Sequence, residues 1–541
     1  MAYDAIIVGG GHNGLVAACT LALRGLRVAV FEARSYVGGM ASSPEVWPGF
    51  RAPIGAYVLS LFKRSIGEEL GVLGRVKLIP KDPGMTVLLG GGRALSTWSS
   101  LDKTVEEIGR VSERDSRAYV EWVKVWSLVS EILDFLYSNP PLDPWDVLES
   151  AGRILRLARL RYGGLLEDLS WILTAPASRL LDEFFESEEV KALLVEDAVV
   201  GELAAPSSPG TALILAHHYM GDVTGVRGQW AYVAGGIGRL SEALAERCRE
   251  LGVEVHLNSR VEEILVRNGE VRGVRVNGRV YESRFVLSSV DARVTLLELV
   301  GEGVGDSRLE RRLRSLKSIG ASSKVLVASR RLPRLKPGYA EYTDRVYRSS
   351  ALTIPSVDYV ERAYRDALVE GVSREPWISI NTQSYLDPTV APEGWHVISM
   401  FLQYTRYDSP RGWGPEAREE LLERVYGVLD NYFEDFRGVA ERVLVLTPRD
   451  YEELYAAPGG HIFHLSMTLD QLWINRPLPE LSRYRTPIKG LYLCGSSMHP
   501  GGGVTGLPGY LAAKTLLEDI GVERRRKGLL RLLLEKLRRR I

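Results

Sequence analysis

The chain opens on an unbroken apolar run, Ala5-Ile6-Ile7-Val8, followed by a glycine cluster. Apolar residues then recur at helical spacing, Leu15, Val16, Ala18, Leu21 and Leu23, as far as Gly25. A second apolar run, Arg27 to Phe31, ends at Glu32. Short apolar runs bounded by glycine predict strands buried on both faces, and the spacing between them predicts a helix. The first thirty-two residues therefore predict a β-α-β unit of a doubly wound sheet. From about 101 to 200 the pattern becomes helical and rich in Leu, Trp and Glu, with breaks at Pro140-Pro141 and Gly163-Gly164. Strand-type runs return between 253 and 291 (Val253 to Leu257, Val271 to Val276, Phe285 to Leu287), separated by hairpin-type turns at Asn268-Gly269 and Asn277-Gly278. A mixed stretch fills 300 to 480, after which Gly490 to Cys494 predicts another strand, entering a glycine-rich turn and a helix. There is no internal repeat. The fold class expected is α/β, with a nucleotide domain assembled from separated segments.

At 541 residues the chain exceeds what one core holds, and 45% hydrophobic with 25% charged residues is a globular composition that excludes general disorder. Lys plus Arg and Asp plus Glu both number 68, which argues against a whole-molecule footprint for nucleic acid. The three cysteines, Cys19, Cys248 and Cys494, are too few and too scattered for a disulfide framework, a zinc site or a Cys-x-x-Cys pair. Thiol chemistry is not expected. No targeting segment precedes the first strand, and no apolar run reaches the roughly twenty residues of a membrane span. The expected location is cytoplasmic, with peripheral attachment to a membrane as the alternative.

Gly9-Gly10-Gly11-His12-Asn13-Gly14 satisfies Gly-x-Gly-x-x-Gly between a strand and a helix, the context in which that pattern carries meaning. Gly9 permits the tight turn, Gly11 lets backbone approach a pyrophosphate, and Gly14 lets helix and strand pack closely. Glu32, eighteen residues beyond Gly14, stands where a carboxylate accepts hydrogen bonds from ribose hydroxyls and repels a 2′-phosphate. A second close-approach turn, Gly38-Gly39-Met40-Ala41, follows. The run Leu491 to Gly506 contains Cys494-Gly495-Ser496 and His499-Pro500-Gly501-Gly502-Gly503-Val504.

These segments resemble FAD-dependent flavoproteins of the amine-oxidase and phytoene-desaturase type. With Pro458-Gly459-Gly460-His461-Ile462-Phe463-His464 and Leu469-Asp470-Gln471, the wording resembles one branch, the pyridine nucleotide-disulphide oxidoreductase domain-containing protein 2 group, across essentially the whole chain. The resemblance implies a Rossmann-type FAD-binding domain (1-100, 228-300 and 485-522) interleaved with a helical subdomain (101-227) and a mixed α+β substrate domain (301-484). It implies cofactor contacts from Gly9, Gly11, His12, Asn13, Gly14, Glu32, Ala33, Gly38, Gly39, Met40, Val261, Gly495, Ser496, Gly503 and Val504. Gly235-Gly236-Ile237-Gly238-Arg239-Leu240 is not a second dinucleotide turn, since Ser241 replaces the last glycine and no preceding buried strand or later acid completes the unit. NAD(P)H is thus not the expected electron partner.

His499, His464 and Lys324 are the candidates for chemistry. His499 falls beside the expected isoalloxazine, where an imidazole either hydrogen-bonds the ring or a substrate, or simply stabilises the turn before Pro500. His464 and His461, three apart, either share a helix face or line a cavity; no third ligand accompanies them, so no metal site is expected. Lys324, on the expected strand Ser322 to Val327, occupies the segment where such flavoproteins place a lysine near flavin N5; the competing reading is an exposed strand lysine. His217, His218, His256 and His396 read as structural.

The zero net charge conceals an asymmetry: residues 523-541 carry a net charge of +7 and residues 1-522 a net of −7. Leu530, Leu533, Leu534, Leu537 and Ile541 fall on one helical face of that basic tail, as in a helix lying on anionic lipid; docking on its own domain or on a second subunit is the alternative. The function expected is oxidation of a largely apolar, isoprenoid-like substrate by hydride transfer to FAD, with oxygen, a quinone or another carrier taking the electrons. A flavin amine oxidase and a non-catalytic regulatory flavoprotein are the alternatives, the former disfavoured by Ser496 where such enzymes usually carry an acid.

Overall fold

A computed structural model describes residues 3–142, 165–301 and 307–521. The opening strand Tyr3–Val8 lies at the centre of a seven-stranded sheet, flanked in parallel by Val28–Phe31 and Arg279–Ser288. Glu254–His256 extends the parallel array beyond Val28–Phe31, and Leu491–Leu493 pairs with the end of Arg279–Ser288. Ala5, Ile6, Ile7 and Val8 are buried, as a strand covered on both faces requires. The helix His12–Ala22 packs against Gly238–Glu250 and Leu507–Asp519, so three distant parts of the sequence close around the first glycine turn.

The other half of Arg279–Ser288 joins Glu270–Val276 and Val261–Arg267 in an antiparallel meander. Asn268 (φ 54°) with Gly269 (φ 71°), and Asn277 (φ 48°) with Gly278 (φ 72°), supply the consecutive left-handed residues of tight hairpin turns, as expected from the sequence.

The second seven-stranded sheet runs in the order Arg442–Leu446, Ser322–Ser329, His396–Thr405, Val372–Asn381, Ser350–Leu352, Met85–Leu89, Arg93–Thr97. This corrects one boundary. Residues 85–97, expected in the nucleotide domain, extend the substrate-side sheet, because Met85–Leu89 pairs in parallel with Ser350–Leu352. After Arg93–Thr97 the chain turns helical: Leu101–Gly109, Glu113–Tyr137, Leu165–Thr174, Ala177–Phe184, Glu188–Leu194 and Thr211–Tyr219. Ser100 and Ser112 cap the first two by accepting from the amides of Lys103 and Asp115. Trp122 and Trp126 sit in the core of this region against Phe184, Phe185 and Tyr219.

A short buried strand, Ala231–Val233, does precede Gly235, contrary to expectation. It pairs antiparallel with Leu78–Pro80, outside the nucleotide sheet, and the helix Gly238–Glu250 that follows returns the chain to the first domain. Among the described residues no helix is long and apolar enough to cross a membrane. The basic tail, 523–541, lies outside the described residues.

Candidate active site

The strand Tyr3–Val8 ends as Gly9 turns to φ 90°, and its amide donates to the Phe31 carbonyl at 2.9 Å. The second glycine turn lies directly on the first: Gly38 N–H donates to Gly10 O at 2.8 Å, and Gly11 bridges to Gly38. Both turns border one cavity of about 420 Å³. Its wall takes in Gly9, Gly11, His12, Asn13, Glu32, Ala33, Gly38, Gly39, Met40, Val261, Ser496, Gly503 and Val504, thirteen of the residues expected to contact a cofactor. Gly14 and Gly495 stand behind the wall. A Cβ at Gly495 would lie 2.3 Å from the Ser289 carbonyl oxygen, so that glycine serves backbone packing.

Glu32 is oriented by backbone. Its Oε2 accepts from Gly10 N–H at 2.7 Å and its Oε1 from Arg34 N–H at 2.8 Å, which leaves each oxygen a lone pair for a ribose hydroxyl. Burial pushes this carboxyl upward, and the amides of Arg34 and Gly10 work against that shift. Asn13 Nδ2 donates to Ser496 Oγ at 3.1 Å and so ties the first turn to the C-terminal motif.

Among the buried polar atoms on this wall that have no protein partner are His12 Nε2, Asn13 Oδ1 and His464 Nδ1. Buried polar atoms are ordinarily satisfied, so these await a polar ligand, and the donor set suits a dinucleotide at a helix N-terminus. Burial, followed by mutual repulsion with His464, lowers His12 to about 4. Burial lowers His464 to about 4 as well, so both imidazoles are neutral near pH 7.

His464 is held in a left-handed conformation, φ 66°, and Val504 across the cavity has φ 60°, a costly conformation for a β-branched residue. Two arginines fix the His464 loop. Arg476 is fully buried and donates to the carbonyls of Phe463 (2.9 Å), Leu465 (3.3 Å), Ser466 (3.3 Å), Gln471 (3.3 Å) and Ser496 (3.1 Å). Arg293, paired with Asp291 at 2.9 Å, donates to His464 O at 3.4 Å and Pro458 O at 3.3 Å. Neither arginine was identified from sequence. The available signal was Arg476 standing between the Leu469-Asp470-Gln471 and Leu491 to Gly506 motifs.

The remaining wall includes apolar side chains that sequence patterning also missed: Tyr57, Val200, Phe401, Ile462 and Phe463. Phe401 belongs to a strand, His396–Thr405, in which nine consecutive residues are buried, so alternation could not mark which side chain faces a cavity.

Two of the three residues proposed for chemistry are placed elsewhere. His499 is buried and turned away from the cavity: its Nε2 lies 3.3 Å from Leu136 O and 3.1 Å from Asn139 O, at the end of the long helix Glu113–Tyr137. Lys324 is neither exposed nor on the cavity wall. Its Nζ donates to Pro53 O at 2.9 Å and to Gly55 O, and lies 4.8 Å from the centre of the Tyr57 ring, behind the segment that forms the wall. His461 Nε2 lies 3.3 Å from buried Glu202 Oε1, and His461 is not on the cavity wall with His464. Among the described residues no group of three or more His, Cys, Asp or Glu is placed to hold a metal ion.

Burial pushes Lys324 down to about 7 from 10.5. The unfolded chain then binds more protons than the folded one between about pH 7 and 10.5, so this group makes stability rise with pH across that window. Lys324→Met is expected to flatten the climb of the thermal midpoint between pH 7 and about 10. An unchanged slope in melts recorded across that range would refute the assignment.

A parallel sheet, a glycine turn entering a helix N-terminus, a ribose-type carboxylate and a cavity running from these to apolar side chains define a dinucleotide-binding oxidoreductase fold. The chain belongs to the flavin containing amine oxidoreductase family, whose model matches residues 14–509. It is 35% identical to the pyridine nucleotide-disulfide oxidoreductase domain-containing protein 2 of Rattus norvegicus, over 96% of this chain and 94% of that one. It is 26% identical to one of the limonene dehydrogenase polypeptides of Castellaniella defragrans (96% and 95% covered) and 24% identical to a lycopene-forming phytoene desaturase of Pseudescherichia vulneris (95% and 99%). Cyclohexylamine oxidase from Brevibacterium oxydans has the same fold, with a TM-score of 0.58 at 17% identity over 97% of this chain and 100% of that one. The resemblance read from the motifs is thus confirmed, and the cofactor of this flavin family, bound through a dinucleotide turn, is FAD.

Proposed function

We propose that the protein is a dehydrogenase or desaturase that oxidises a largely apolar, isoprenoid-like molecule. The observation that carries this reading is the apolar part of the wall, Tyr57, Val200, Phe401, Ile462 and Phe463, continuous with the cofactor residues and bordered by an imidazole that burial keeps neutral. The likeness to a limonene dehydrogenase polypeptide and to a phytoene desaturase, both named for isoprenoid hydrocarbons, supports it.

FAD supplies the hydride acceptor when bound. The chain's own residues perform the rest. Glu32 would receive the ribose hydroxyls and the amides at the start of His12–Ala22 would meet the diphosphate, while the Asn13–Ser496 link ties together the two halves of the cofactor cradle. The apolar wall orients a hydrocarbon and excludes water, lowering the entropic part of the barrier. His464, clamped through its own carbonyl and those of Phe463 and Leu465, presents one fixed imidazole to the cavity.

Anaerobic mixing of the holoprotein with limonene, with a linear polyene hydrocarbon and with aliphatic amines separates the candidates. Bleaching of the flavin absorbance by hydrocarbons is the expected result. Bleaching by amines alone, with hydrogen peroxide formed in air, would establish an amine oxidase instead. Val200→Asp, which puts a carboxylate on the apolar wall, is expected to lower kcat/KM for the hydrocarbon at least about tenfold while leaving flavin content unchanged. A variant that keeps full activity would show that substrate does not meet this wall.

A further inference from the structure

The fold brings together two of the three cysteines that looked scattered in sequence. Cys19 lies on the helix His12–Ala22 that leaves the dinucleotide turn, and Cys248 lies near the end of Gly238–Glu250, packed against it. Their sulfurs are 2.7 Å apart although 229 residues separate them. Each thiol also points at the opposite helix's backbone, Cys19 Sγ 3.5 Å from Leu244 O and Cys248 Sγ 3.4 Å from Leu15 O. Those two carbonyls are the normal helical acceptors of the Cys248 and Cys19 amides, so losing the S–H donors strands no acceptor. Both side chains are fully buried, and both thiols are free.

We propose that Cys19 and Cys248 are an oxidisable pair that closes into a disulfide, stapling the cofactor-turn helix to the helix that returns from the substrate side. Two S–H bonds break and one S–S bond forms. The two protons and two electrons pass to a small-molecule oxidant, either hydrogen peroxide, which becomes two waters, or a small disulfide, which becomes two thiols. The gain comes chiefly from restraining the unfolded chain, and it grows with the length of the loop closed, which here is long. Burial raises Cys248 well above its ordinary value, so the reactive thiolate is scarce in the folded protein. The bond therefore forms while the chain folds and afterwards resists reduction, as a structural cross-link does. Cys494, buried on a different element, is the internal control.

The test compares full-length holoprotein produced in a host with an oxidising cytosol and in an ordinary reducing host, each denatured in N-ethylmaleimide and weighed intact. The oxidising preparation is expected to take one label and to yield a peptide linking Cys19 to Cys248, the reducing preparation three. The oxidised protein is expected to melt about 3 °C higher. Cys248→Ala is expected to take two labels from either host and to lose the difference in midpoint. Three labels from the oxidising host would overturn the proposal. So would a linked protein that melts with the reduced one, or a host-dependent midpoint that survives in Cys248→Ala.

Discussion

Gly14→Ala is expected to give a protein that no longer retains its flavin. A Cβ at this position would sit 2.2 Å from the carbonyl oxygen of Gly9, 3.0 Å from Ser289 Oγ and 3.2 Å from Ile7 Cγ2. The nearest obstacle is backbone within the dinucleotide turn itself, and a carbonyl held between a strand end and a helix start cannot rotate aside as a flexible side chain could. Relief requires the turn to move by an appreciable fraction of an ångström, carrying Gly11 and His12 away from the position they hold on the cavity wall. Overpacking of this kind costs about 1–3 kcal/mol. If most of that falls on the bound conformation, affinity for FAD drops roughly 10- to 100-fold. Gly427→Ala is the control: it lies inside the helix Pro415–Leu429 and a Cβ there meets nothing within 4 Å. That variant should keep its flavin and gain slightly in stability. Flavin-to-protein ratios after gel filtration, followed by titration with FAD, decide the matter; a yellow Gly14→Ala protein with wild-type affinity would show that the turn is not packed as described.

Gly14 was legible because its constraint is local. The glycine pattern, the flanking apolar runs and Glu32 all lie within thirty-two residues, and the Asn-Gly hairpins are set by their own backbone preferences. Features that depend on contacts between distant segments were not legible in this way. Met85–Leu89 has the pattern of a strand wherever it sits, and only its pairing with Ser350–Leu352 assigns it to the second sheet. His464 and His499 both neighbour glycine motifs, yet the fold aims one at the cavity and the other at carbonyls of Leu136 and Asn139, some 360 residues away in sequence. Lys324 lies in a strand buried along its whole length, so no alternation indicated whether the lysine faced solvent, cavity or core. The meeting of Cys19 with Cys248 is of the same kind.

Arg476 is the strongest instance of such a non-local role, and Arg476→Met is expected to be the most damaging single change in this region. The guanidinium is fully buried, and burial lowers it only to about 10, with Glu202, Tyr137 and Asp291 pulling the other way, so it stays charged at neutral pH. Its fork engages five carbonyls, four on the His464 loop and its continuation and one on Ser496. No hydrophobic residue can replace that. Methionine fills much of the volume but leaves those carbonyls facing an apolar side chain, and removing one partner from a buried charged network costs about 3–5 kcal/mol. Because the same donors join the His464 loop to the Ser496 motif, the loss should appear twice: as a lower thermal midpoint, and as weaker flavin retention at temperatures where the variant is still folded. Arg476→Lys separates charge from geometry. A single ammonium has three donors and no planar fork, so it should recover part of the stability while leaving the flavin loosely held. If Arg476→Met melts with the wild type and keeps its flavin, the clamp is decorative and His464 is positioned by packing alone; if only the midpoint falls and flavin affinity is unchanged, Arg476 stabilises the loop without presenting it to the cofactor.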